Sequence, residues 1–114
     1  MVVQRGEVWW AELAAPTGAE PGFQRPVVIM QSDAFNRSRI HTIVAVALTT
    51  NLRHVDAPGN VLITKAVSGL PKDSVANVSQ IVTVDRTQLT KRERRLSSLA
   101  VQSIERGLRL VLDL

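Results

Sequence analysis

The chain contains no cysteine, which excludes disulfide staples and thiolate metal sites and suits a reducing compartment without requiring one. It has 2 histidines, His41 and His54, without the short spacing that zinc sites use, so neither a metal nor a cofactor is expected. Aromatic residues are scarce, at 4%. No apolar stretch approaches the roughly 20 residues that a membrane-spanning helix needs. Arg5 and Glu7 interrupt the amino terminus before a signal-peptide apolar region can form. The expectation is a cytoplasmic protein with no membrane partner.

What is present is enough for one small domain, residues 1–114, with a core of its own. There are 14 Lys and Arg against 10 Asp and Glu, a formal net charge of +4. That surplus favours polyanionic partners mildly, and solubility alone would also explain it.

Residues 7–13, Glu-Val-Trp-Trp-Ala-Glu-Leu, follow Gly6 and read as a strand that runs into a Pro/Gly-rich loop over residues 14–24. Side chains alternate along a strand, so Trp9 and Trp10 point to opposite faces, one of them inward. Residues 26–30 form an apolar run opened by Pro26 and predict a buried strand. Asp33, Asn36 and Ser38 favour turns and short helical caps. Residues 42–50 carry the longest apolar run, rich in β-branched residues, and predict a central strand. Residues 60–64 and 73–84 supply two or three strands more. Helical spacing is confined to Val101, Ile104, Leu108 and Val111, with Ser97 or Ser98 as the N-cap. Gly107 inside that helix costs about 1 kcal/mol relative to Ala and points to close packing or a weak spot. Five or six short strands and one terminal helix define a mainly β fold, a small and partly open barrel.

Several segments, taken in order, resemble the MazF/PemK/Kid toxins. They are Arg5-Gly6-Glu7-Val8-Trp9-Trp10, residues 18–28 around Gln24-Arg25-Pro26, and Leu48-Thr49-Thr50-Asn51. Gly69-Leu70-Pro71-Lys72-Asp73-Ser74-Val75, residues 79–85 and the final helix continue the series over nearly the whole chain. The resemblance implies an SH3-like barrel, a homodimer, and a sequence-specific endoribonuclease held inactive by a cognate MazE-like antitoxin. It also implies attack of a ribose 2′-OH on single-stranded RNA, giving a 2′,3′-cyclic phosphate and a 5′-OH without a metal. A gyrase-poisoning toxin of the same fold is one alternative, although that branch depends on a Trp-Gly-Ile tail and this chain ends Val111-Leu112-Asp113-Leu114. A non-catalytic SH3-like binding module is the other.

Such chemistry needs a proton acceptor, donors for the charge that builds on phosphorus oxygens, and an acid for the 5′ oxygen. Arg25 fits the second task, because a guanidinium fork holds two phosphate oxygens at once. Thr49 ends the central strand and offers a hydroxyl donor, with Thr50 competing for the role. The base is unassigned: relatives place a carboxylate before the Gln-Ile pair or a histidine in the first loop, where this chain has Ser79 and Ala19. Glu20 is expected to orient Arg25 or bind a base edge, and His41 and His54 read as exposed loop residues. RNA bases would meet Phe23, with Phe35 or the outward Trp as further stackers, and the polar side chains of Glu20, Asn51, Ser74, Asn77 and Gln80. The cluster Lys91-Arg92-Glu93-Arg94-Arg95 reads as a solvated face, with an acidic partner as the lesser alternative.

Overall fold

The computed structural model describes residues 2–20 and 22–114. Six strands, β1 (Glu7–Leu13), β2 (Phe23–Ile29), β3 (Thr42–Thr49), β4 (Val61–Ile63), β5 (Ser74–Asp85) and β6 (Leu89–Arg95), join in one sheet of order β4-β5-β3-β2-β1-β6. All pairings are antiparallel, and the sheet curls into a half-barrel open between β4 and β6. Short helices α1 (Asp33–Asn36) and α2 (Lys65–Ser68) punctuate the connections, and α3 (Ser98–Leu112) closes the chain. The expected mainly β, partly open barrel with a carboxy-terminal helix is what the chain forms.

The strands β1 to β3 read as nearly continuous apolar runs because both of their faces are covered. On one face Val8, Val28, Val46, Leu48, Ala76 and Val78 pack with Ile104 of α3, flanked by Val101 and Leu108. On the other, Trp9, Ala11, Val27, Ile29, Ile43, Ala45, Val84 and Leu89 form a second core. Trp9 is therefore the inward residue, and the half-buried Trp10 belongs to the opposite face. Ser97 caps α3 by accepting from the Ala100 N–H, as its position suggested. Full burial of the Ile104 side chain alone contributes roughly 2–3 kcal/mol toward holding α3 on the sheet.

The structure adds detail at three places. The cluster at residues 91–95 lies on edge strand β6, paired with β1 from Glu7 and Arg95 through Ala11 and Leu89. Most of its side chains are exposed, as a solvated face requires, but Glu93 is half-buried, accepting from the Trp10 indole at 3.1 Å and forming an ion pair with Lys91 at 3.4 Å. The second strand begins at Phe23 rather than Pro26: Pro26 sits opposite Trp10, beyond the ladder with β3, which starts at Val27, so no hydrogen bond is asked of its nitrogen. In β5 the register against β3 jumps, Val46 facing Ile81 but Leu48 facing Ala76, so residues 77–80 bulge out opposite the single Ala47. That bulge accounts for the loose alternation of the segment.

Candidate active site

The carboxy-terminal end of β3 and the amino-terminal half of β2 meet at one rim of the sheet. Arg25, on β2, and Thr49, the last residue of β3, both line one cavity there. Thr50, one residue past the end of β3, lines the same cavity. The Thr49 hydroxyl oxygen accepts from the Asn51 backbone N–H at 3.2 Å, which leaves its own hydrogen free to donate.

Arg25 and Thr49 open into a cavity of about 360 Å³ lined also by Trp10, Gln24, Pro26, Leu48, Thr50, Asn51, Leu70, Pro71, Lys72 and Ser74. Of the residues expected at the site, Arg25, Thr49, Thr50, Asn51 and Ser74 are gathered there. Ser74 is nevertheless almost wholly buried, so only a sliver of it faces the cavity. Phe23 lies outside the lining but on β2 two residues from Arg25, hence on the same face, with 67% of its surface exposed. Its φ of 58° is a left-handed conformation that a bulky side chain adopts only at a cost of about 1–3 kcal/mol. The hydrogen bond from the Phe23 N–H to the Ala14 carbonyl at 3.3 Å closes the intervening loop and holds the aromatic ring in solvent.

Other expected residues are placed elsewhere. Glu20 does not orient Arg25: its carboxylate accepts from the Thr17 hydroxyl at 2.7 Å, the Thr17 N–H and the Gly18 N–H within its own loop. Those bonds, led by the Thr17 hydroxyl, pull the Glu20 carboxyl down to about 2. Asn77 is buried in the β5 bulge, where its side-chain carbonyl accepts from Ser79 at 2.9 Å and Asn60 at 3.4 Å, and it has no face to offer a base. Gln80 donates to the Ala19 carbonyl at 2.6 Å and so ties the β1–β2 loop to β5. Phe35, on α1, is exposed but outside the cavity lining. His41 and His54 are both exposed and neither lines the cavity, so no histidine pair is assembled there.

Trp10, Gln24 and Lys72 are lining residues that sequence reasoning either ranked low or passed over. A signal for Lys72 was present. Thr49 pairs with Val75, so the residues just before β5 must reach the same rim. Among the described residues no cluster of three or more His, Cys, Asp or Glu side chains forms a metal-ligand set. Among the described residues no helix is long and apolar enough to cross a membrane.

With this geometry in place, comparison with known proteins gives a family. A family model of PemK-like, MazF-like toxins of type II toxin-antitoxin systems matches residues 4–112, and the chain belongs to that family. It is 43% identical to endoribonuclease MazF6 of Mycobacterium tuberculosis over 114 residues, covering 100% of both chains. Against endoribonuclease EndoA of Bacillus subtilis it is 34% identical, covering 100% of this chain and 97% of the relative. Among solved structures, the Mycobacterium tuberculosis toxin MazF-mt6 superposes with a TM-score of 0.78 at 20% identity, covering 95% of this chain and 97% of that one, and so shares the fold.

Proposed function

We propose that the chain is an endoribonuclease toxin that cuts single-stranded RNA by attack of a ribose 2′-OH on the adjacent phosphate. The carrying observation is that Arg25 and Thr49 line one cavity whose charged and hydroxyl side chains are Arg25, Lys72, Thr49, Thr50 and Ser74, with no carboxylate. In the reaction the O2′–P bond forms as the P–O5′ bond breaks. One proton leaves the 2′-OH and one joins O5′, leaving a 2′,3′-cyclic phosphate and a 5′-OH. The Arg25 fork and the Thr49 hydroxyl hold the non-bridging oxygens and stabilise the charge that gathers there. The lining offers no imidazole or carboxylate to carry either proton, so rate enhancement rests on charge stabilisation and on alignment.

Phe23, Gln24 and Asn51 lie next to that position and suit stacking on, and hydrogen bonding to, unstacked bases; recognition through them makes cleavage sequence-specific. Family membership and the named relatives support a ribonuclease neutralised by a cognate antitoxin, and the reading takes it to work as a homodimer in the cytoplasm. The test is to map both termini of RNA fragments made by the purified protein. Cyclic phosphate and 5′-OH ends from the wild type, and none from Arg25→Ala, are expected. Ends carrying 5′-phosphate, or equal cutting by both proteins, would overturn the assignment.

A further inference from the structure

The cavity is lined by two charged side chains, and both are cations: Arg25 and Lys72. Among the described residues neither takes part in an ion pair. The nearest acids in sequence are turned to other work. Glu20 is held by Thr17 and Gly18, and Asp73, the neighbour of Lys72, accepts from the Lys65 backbone N–H at 2.8 Å. That bond caps α2, whose N-cap residue Thr64 makes no side-chain cap of its own. Two unneutralised cations facing one cavity repel each other, an arrangement that an anion between them relieves.

Lys72 is also held in place at its base. Leu70, two residues before it, is buried in the core, and Ser74, two residues after it, is buried at the start of β5. Pro71 restricts the backbone between them. The Cα of Lys72 is thus fixed at the rim while its side chain remains exposed, which lowers the ordering cost of placing the ammonium.

We propose that Lys72 is a second phosphate-binding residue of the site, contacting a backbone phosphate of the RNA from the side of the cavity opposite β2. The inference rests on the ribonuclease reading and adds to it a residue that the Arg25–Thr49 pair does not include. Lys72 acts as a point charge: it contacts the diester in the ground state as well as in the transition state, so its loss raises KM more than it lowers kcat.

The experiment compares wild type, Lys72→Met and Lys72→Arg as full chains, after urea denaturation has shown equal stability. Cleavage of a labelled RNA locates a cut site. Binding of a 2′-O-methyl oligonucleotide spanning that site, which lacks the attacking hydroxyl, is then followed by anisotropy over a salt series. Removing one phosphate contact on a single strand lowers the slope of log affinity against log salt by about 0.7. Lys72→Met is expected to show that decrease with affinity down on the order of tenfold at low salt, and Lys72→Arg to restore both. A merely structural lysine would leave the salt slope unmoved. Cleavage by the wild type together with an unchanged slope and affinity in Lys72→Met would overturn the inference alone. Absence of cleavage by the wild type would overturn the ribonuclease reading and the inference with it.

Discussion

Gly107→Ala sets two principles against each other. In an exposed helix the change would stabilise by about 1 kcal/mol, because Ala is the better helix former. Gly107 is instead buried in α3 against Gly59, and a Cβ there would overlap the Gly59 carbonyl oxygen and approach Val78 Cγ1 at 2.9 Å. Gly59 has little room to retreat: its φ is 83°, and a Cβ on it would lie 3.1 Å from the Gly107 Cα. Overpacking of this kind costs about 1–3 kcal/mol, and the obstruction is backbone rather than a flexible side chain, which places the cost at the upper end. Subtracting the propensity gain leaves about 2 kcal/mol of destabilisation. At about 4 °C per kcal/mol for a domain of this size, Tm falls by about 8 °C. Thermal denaturation followed by circular dichroism measures it, with urea denaturation as the companion. A Tm equal to or above that of the wild type would show that α3 is not pressed onto the Ala57–Asn60 turn as described.

Three further outcomes are expected. Glu7, only 3% exposed, accepts from the Gln4 N–H, the Trp9 indole and Arg92, so Glu7→Gln is expected to cost about 2 kcal/mol in urea denaturation, whereas Arg92→Met, whose side chain is 61% exposed, costs under about 1 kcal/mol. Because the Glu20 carboxyl is lowered to about 2 from the usual 4.5, its loop bonds contribute fully above the ordinary carboxylate range, and that contribution falls away as pH drops from there through about 2. A carbon-13 titration of Glu20 should therefore show it ionised at pH 4, and half-protonation there would contradict the Thr17–Glu20 turn. Trp10 lines the cavity and Trp9 is buried away from it, so RNA should quench fluorescence in Trp9→Phe but leave Trp10→Phe unchanged; the reverse pattern would put the site on the wrong face.

The strands that were legible in sequence are those with two covered faces. The run Ile43 to Leu48 is apolar largely because the sheet buries Val46 and Leu48 on one side and Ile43, Ala45 and Ala47 on the other, Val44 alone being exposed. Edge strand β6 was hidden because its exposed Lys and Arg side chains carry no apolar alternation, and its pairing to β1 depends on backbone hydrogen bonds that composition does not report. At the site, the family motif pointed to Arg25 and Thr49, and the fold brings both into the lining of one cavity. Glu20, Asn77 and Gln80 lie outside the cavity lining because whether a polar side chain faces a cavity or its own loop depends on tertiary detail, here the Thr17–Glu20 turn and the β5 bulge. Lys72 lay within a recognised segment, and only the folded rim shows that no acid accompanies it.

The central claim is that Arg25 and Thr49 form one phosphate-holding unit, and a double-mutant cycle on RNA cleavage tests it most directly. Rates are measured on one labelled RNA in EDTA for wild type, Arg25→Ala, Thr49→Ala and the double variant. The account predicts metal-free cleavage by the wild type, a loss of at least about 100-fold for Arg25→Ala, and a double variant little slower than that single one, since donors to the same oxygens act together. Strictly multiplicative losses, or undiminished cleavage by Arg25→Ala, would contradict it.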